Sequence, residues 1–346
     1  MHPVARAWLV RLATLVASLL ASSLVVFLVI QTLPGDLAEA ILGTSATPER
    51  LAVLRAELGL DRPWYVRYGE WLAGFARGDL GVSALSGRPV WALIRGPLGV
   101  TTWLVLFGTI LSLLVALPLG LWSAMRRRHA DGVIVNATSH LGMSIPAFLA
   151  GLLLVVVFAV QLRVLPANGF VALVVDPVEW ARHLVLPVVA LGLVQGALLT
   201  RYVRSAFVEV LGEDHLRTAR AIGWTRLAAV LRHGLRPAGL SIITVLGLQL
   251  VSLLVGAIVI ENVFVLPGLG SQLMTAVNQR DLLTVQGIVM LLVAAVLVIN
   301  AVVDLLYLAL DPRLRTGGSS SGPTPATDGV PHAIVGAPVE VPGRQP

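Results

Sequence analysis

The side chains that could perform covalent chemistry are few, and their spacing matches no catalytic constellation. Seven histidines stand at positions 2, 129, 140, 183, 215, 233 and 332, and none forms the HExxH pair that holds zinc beside a general base. Ser144 and Ser271 lie near glycines, but neither sits in a GxSxG nucleophile turn. Lysine is absent, so all 25 basic residues are arginine. That removes amine chemistry, including the lysine that a GxxxxGK[ST] phosphate loop requires. The chain therefore has no ordinary P-loop ATP site of its own. Cysteine is also absent, which removes disulfides, thiolate catalysis and cysteine metal sites.

A second set of polar groups interrupts long apolar stretches: Asn136, His140, Gln195, Gln249, Asn300 and Asp304. In a bilayer such residues face protein or a water-filled path. Helix-to-helix hydrogen bonding is one use, and solute contact is the other. Gln195 and Gln249 are the candidates for a solute path. Asp304, near Asp311-Pro312-Arg313, can pair with an arginine.

The elements that must position these groups follow from composition. Hydrophobic residues make up 56% of the 346 and charged residues 13%, with a mean hydropathy of +0.85. Soluble domains usually carry about 45–50% and 25%, so lipid is the solvent. The net charge of +6 comes from scattered arginines without a basic, aromatic-lined stripe, which argues against nucleic acid as a partner. A hydrocarbon core of about 30 Å needs roughly 20 apolar helical residues. Six such runs occur, approximately Trp8 to Leu33, Val100 to Ala124, Val133 to Val160, His183 to Thr200, Ala238 to Ile260, and Thr284 to Leu310. The first exceeds the roughly 7–15 residues of a signal h-region, so it reads as a retained anchor.

Fourteen arginines cluster at one set of run ends, among them Arg126 to Arg128 and seven between Arg201 and Arg236; the opposite short loops carry Arg163, Arg182 and Arg280. The rich side is expected to be cytoplasmic, with both termini inside. The external loop, about 34–99, contains Thr47-Pro48-Glu49, a helix start that Gly59 can end. Trp64, Tyr68, Trp71 and Phe75 follow at helical spacing and suit either the membrane interface or a small extramembrane core. Residues 316–346, rich in Gly, Ser, Pro and Thr, read as a disordered tail.

The loop between the fourth and fifth runs, about 201–237, holds Glu213-Asp214-His215-Leu216-Arg217-Thr218-Ala219-Arg220-Ala221-Ile222-Gly223-Trp224. Asp214 can cap a short helix, Ala219 and Ala221 add little bulk, and Gly223 can supply a left-handed terminator. A second helix places Leu227, Val230, Leu231 and Leu235 on one face against Arg226, Arg232 and Arg236, up to Pro237. This block resembles the coupling loop of permease subunits in bacterial binding-protein-dependent ABC importers, particularly the dipeptide, oligopeptide and nickel branch. Other strings match that family in order over roughly residues 6 to 315: Leu33 to Asp36, Leu58 to Pro63, Gly78 to Ser83, Gly142 to Phe148, Glu261 to Gly270, and Asp311 to Arg313. Physically, Gly35, Gly81, Gly268 and Gly270 suit tight turns, and Pro146 interrupts the third run.

The resemblance implies an all-α integral membrane protein of about six transmembrane helices with the type I importer permease fold, in the bacterial plasma membrane. Residues 1–315 would form the permease domain. It implies partners: separate ATPase subunits that hold ATP and Mg, a second, different permease subunit, and an extracytoplasmic substrate-binding protein. No cofactor would bind this chain. Asp214, Thr218, Ala219, Arg220, Ala221 and Gly223 would meet the motor, with Ile222 standing where many relatives carry a basic residue. Peptides, nickel chelates or other small solutes would be the cargo. The alternatives are an ion-coupled secondary transporter, which would use ionisable groups near the midplane, and an intramembrane hydrolase on Ser144 or Ser271.

Overall fold

The computed structural model describes residues 3–32, 37–42, 46–57 and 59–310. The strings at 33–36 and 311–313, Gly35, Leu58 and the tail 316–346 lie outside these described residues. Every regular element among them is helical. The order is α1 (Pro3–Thr32), α2 (Leu37–Leu42), α3 (Pro48–Glu57), α4 (Trp64–Ala76), α5 (Val90–Met125), α6 (Ala130–Ser144), α7 (Ala147–Leu154), α8 (Pro177–Val210), α9 (Asp214–Ala221), α10 (Arg226–Ala229), α11 (Leu235–Val263), α12 (Leu269–Asn278) and α13 (Leu282–Leu310).

Five helices are long and apolar enough to cross a membrane: Trp8–Thr32, Val90–Met125, Pro177–Val210, Arg226–Val263 and Leu282–Leu306. The third apolar run behaves differently from a straight span. It breaks into α6 and the pair of α7 with its wide-turn continuation Val155–Gln161, bent by 97°. Pro146 is the cause. The residue before a proline is biased away from helical geometry, and Ile145 follows that bias with φ −91° and ψ 117°.

α8 is the central element. Half of its most apolar window is buried, against 17% for α1. Its start is set by Asp176, whose carboxylate accepts from the amides of Val178 (2.8 Å) and Glu179 (3.1 Å), with Pro177 in the first helical turn. α5 packs along it through small residues, since lipid gives helices no hydrophobic reason to associate and close contact must supply the attraction. Ala116 and Ala124 of α5 meet Leu199 and Val203 of α8.

α1 is peripheral and rests on α13, where Val26 and Ile30 meet Val285 and, from α12, Ala276. In the 34–99 segment, α3 begins at Pro48, Thr47 accepts from the Arg50 amide at 3.4 Å, and Gly59 takes φ +64°. The aromatic row of α4 packs on the first span. Phe27 meets Tyr68 and Trp71 with ring centroids at 5.4 and 6.0 Å, and the Ser23 and Tyr68 hydroxyls are 2.8 Å apart. Phe75 continues into a cluster of Leu80, Val90, Ile94, Leu269 and Ile288. The segment is thus fastened to the bundle.

α10 runs through a wide turn, Val230–Gly234, directly into α11. Pro237 therefore does not separate two helices. It lies in the first turn of α11, where the preceding wide turn accommodates its ring and missing donor.

Candidate functional site

The arginine-rich segment between α8 and α11 folds as a small, two-faced element. α9 turns Leu216 and Ala219 into a cluster with Val210, Ala229 and Val230, while Asp214, His215, Arg217, Thr218, Arg220 and Ala221 are exposed. Its end is closed twice: the Gly223 amide donates to the Arg220 carbonyl at 3.1 Å and the Trp224 amide to the Ala219 carbonyl at 3.2 Å. This double closure requires a left-handed residue. Gly223 supplies it with φ +99°. Thr225 then caps α10 by accepting from the Ala228 amide, and the Arg232 guanidinium lies 5.1 Å from the Trp224 ring centre.

Three expectations change here. Asp214 is not the cap: Glu213 precedes the helix, and Asp214 is its first residue, 3.2 Å from the Arg217 guanidinium in a highly exposed pair. Ala219 faces inward, so it shapes the seat of α9 rather than its outer surface. The buried strip of the second helix is Ala229, Val230, Gly234 and Ala238; Leu227, Leu231 and Leu235 are exposed. Both strips follow four-residue spacing and lie side by side on one apolar face. Close approach to α8 and α9 selects the smaller side chains. Five of the six predicted motor-side residues share the outer surface, where Ile222, at 72% exposure, forms an apolar tip.

Gln195 and Gln249 do meet. Gln249 is buried on α11 and points its Nε2 at the Gln195 main-chain carbonyl of α8, 3.5 Å away, while its Oε1 has no hydrogen-bond partner. Asp304 meets an arginine, though through its backbone: the Arg11 guanidinium donates to its carbonyl oxygen. His140 and Asn300 are exposed and Asn136 is half-buried.

The most densely bonded polar site was not anticipated. Glu261, fully buried on α11, accepts from the Thr101 hydroxyl of α5 at 2.5 Å and from the Gly270 and Ser271 amides at 2.7 and 3.3 Å. Thr101 also accepts from the Leu269 amide at 2.8 Å. Together they satisfy the free donors at the start of α12. Gly268 is extended, at φ −97° and ψ −178°, so it is not a left-handed turn residue. It and Gly270 instead permit close approach: a Cβ on Gly268 would lie 2.1 Å from the Glu261 carboxyl carbon, and one on Gly270 2.6 Å from the Ile258 Cα. The signal was a carboxylate one residue past the run ended at Ile260, because a charge at that depth must be paired. A second anchor joins the Ser83 hydroxyl to Asp281, the residue before α13, at 2.6 Å.

Two family models cover nearly all of the chain. The one described as "Binding-protein-dependent transport system inner membrane component" matches residues 116–316, and its N-terminal companion matches 5–102. The chain belongs to this family. It is a multi-pass inner-membrane permease subunit of an ABC importer, a transport component whose ATP hydrolysis belongs to separate subunits. The glutathione transport system permease protein GsiC of Salmonella choleraesuis is 38% identical over 305 residues, covering 88% of this chain and 97% of that protein. The Escherichia coli protein of the same description is 37% identical with the same coverage. A solved structure described as "Crystal structure of an amino acid ABC transporter with histidines" overlaps 62% of this permease and 93% of its own chain, with 16% identity and a TM-score of 0.46. None of these matches supports the ion-coupled carrier or the hydrolase.

Proposed function

We propose that this permease forms one half of a path for short peptides or glutathione-like solutes and takes its drive through the outer face of α9. An extracytoplasmic binding protein delivers the solute, a second permease subunit completes the path, and ATP with Mg acts on the separate motor subunits. Both termini lie in the cytoplasm, a placement that the arginine distribution supports. The description of GsiC as a glutathione permease supports this cargo class.

The observation that carries the motor contact is the division of α9. Leu216 and Ala219 tie it to the ends of α8 and α11, and its other face ends in the exposed Ile222. Force applied to that face reaches two spans directly. Gln249, with an unpaired acceptor between α8 and α11, is the polar group of the proposed path.

The test is uptake of a labelled panel of dipeptides, oligopeptides and glutathione by the reconstituted assembly, with ATP hydrolysis measured alongside. Ile222→Asp or Gly223→Asp should leave assembly intact while uptake per ATP falls. Unchanged uptake per ATP in both variants would sink the coupling role. Failure of every peptide in the wild-type assembly would sink the cargo class alone.

A further inference from the structure

One apolar cluster joins three elements at the arginine-rich end of the bundle: Ala124 of α5, Leu216 and Ala219 of α9, and Ala229 and Val230 at α10. Arg127 follows Ala124 by three residues, Arg220 follows Ala219 directly, and Arg226 stands about one helical turn before Ala229. All three arginines are exposed, and the charges of Arg220 and Arg127 both bear on Arg226. Their neighbours are neutralised locally, Arg126 by Asp131 at 2.6 Å and Arg217 by Asp214 at 3.2 Å. Among the described residues, none of the three has an ion-pair partner. The other carboxylates of this surface, Glu209 and Glu213, come before α9, whereas Arg220 lies roughly 10 Å along it. Like charges brought together repel one another. An anion carried by another molecule relieves that repulsion.

Depth decides which molecule carries it. The apolar stretch of α8 ends near Thr200, and the helix runs on for ten residues to Val210, roughly 15 Å. Leu216 of α9 packs at that far end, in the same cluster as Val210. Arg226 likewise stands twelve residues ahead of Ala238, where the next apolar stretch begins, which is roughly 18 Å of helix. The headgroup layer adds only about 5–8 Å to each side of the hydrocarbon. Phospholipid phosphates therefore fall short of Arg220 and Arg226. At the same depth Ile222 and Leu227 expose 72% and 48% of their surface to water rather than lipid. Arginine beside exposed apolar side chains is the composition of a protein interface.

We infer that Arg127, Arg220 and Arg226 dock an acidic surface of the ATPase subunit, whose carboxylates pair with the three guanidiniums. The contact thereby extends beyond α9 to the end of α5, so the motor holds a third span besides α8 and α11. This inference rests on the motor reading of α9 and adds the chemistry of the partner's surface. Exposed ion pairs are individually weak and screened by salt. Three acting together give about a tenfold gain in affinity.

The affinity of the co-purifying ATPase subunits for the full permease, held in phosphatidylcholine nanodiscs, is measured from about 0.05 to 1 M NaCl, a range over which charge screening becomes nearly complete. The triple variant Arg127→Ala, Arg220→Ala, Arg226→Ala should bind about tenfold more weakly at low salt and match wild type at high salt. The corresponding triple lysine variant keeps the charges and should stay within about threefold of wild type. Convergence at high salt separates lost charge from misfolding, which would weaken binding at every salt concentration. Equal affinity of wild type and the alanine variant at low salt would overturn the inference. So would a deficit that persists at 1 M NaCl, or one that appears only when phosphatidylglycerol is added to the nanodiscs, which would assign the arginines to lipid. Uptake per ATP in Ile222→Asp tests the motor reading separately: a fall there with an unchanged salt profile in the alanine variant would leave the motor contact standing and remove its acidic partner.

Discussion

Thr101 donates its hydroxyl to the buried Glu261 carboxylate at 2.5 Å, joining α5 to α11 at the place where α12 begins. The same carboxylate accepts from the Gly270 and Ser271 amides. One side chain thus holds three elements at the arginine-poor end of the bundle.

Removing that carboxylate leaves buried donors unpaired, at about 1–3 kcal/mol for each. Glu261→Ala is therefore expected to destabilise the purified chain by about 3 kcal/mol or more. Glu261→Gln keeps one acceptor for the amides of α12 and should cost roughly 1 kcal/mol. Thermal unfolding in a fixed detergent checks the order. Equal stability of wild type and Glu261→Ala would mean the cap carries no weight.

Gly268 tests the same contact from the other side. Its extended backbone tolerates any side chain, so the penalty of Gly268→Ala comes from the Cβ that would sit 2.1 Å from the Glu261 carboxyl carbon. Overpacking of this kind costs about 1–3 kcal/mol. Combining Gly268→Ala with Glu261→Ala removes the clashing group, so the double variant should lose less than the two single losses added together. A double-mutant cycle measures this. Strict additivity would contradict the steric account.

Much of this architecture was legible in the residues, and the misses share a physical reason. Run length placed five crossings, and Pro146 marked the sixth as interrupted. Hydropathy holds no angle, so the 97° turn at Ile145 had to come from the fold. The terminator role of Gly223 followed from sequence because glycine at a helix end has one dominant backbone reason. Leu227, Leu231 and Leu235 misled because size, and not polarity, decides which apolar strip enters a tight helix contact. Glu261 was missed because its partners, Thr101 and Gly270, lie 160 and 9 residues away. A scan by periodicity brings neither to it.

Ser83 and Asp281 yield a local prediction. The Asp281 carboxylate accepts from the Ser83 hydroxyl at 2.6 Å and from the Thr284 hydroxyl at 2.7 Å, so it fastens the segment before α5 to the start of α13. Ser83→Ala removes one of these bonds and leaves the other. Loss of a hydrogen bond to a charged group costs about 1.5–3 kcal/mol. Amide exchange in residues 78–89 should quicken while α8 stays protected. Unchanged exchange in that segment would show that other contacts hold it.

The two faces of α9 should respond to mutation in opposite ways. Ala219 is 6% exposed beside Ala229 and Val230, so Ala219→Leu overpacks the seat and should destabilise the chain by about 1–3 kcal/mol. Gly223 has open space around its Cβ position, and only its φ of +99° opposes a side chain. Gly223→Ala should therefore cost about 1–2 kcal/mol, with Gly223→Asn costing less because asparagine visits left-handed geometry. Ile222→Asp touches neither packing nor strain, and its expected effect on stability is within ~0.5 kcal/mol. Thermal unfolding of the isolated permease, set beside uptake per ATP in the assembly, separates the roles. Ala219→Leu should lose both stability and transport, while Ile222→Asp should lose transport alone. If Ile222→Asp unfolds the chain as Ala219→Leu does, the outer face is structural and the motor contact lies elsewhere.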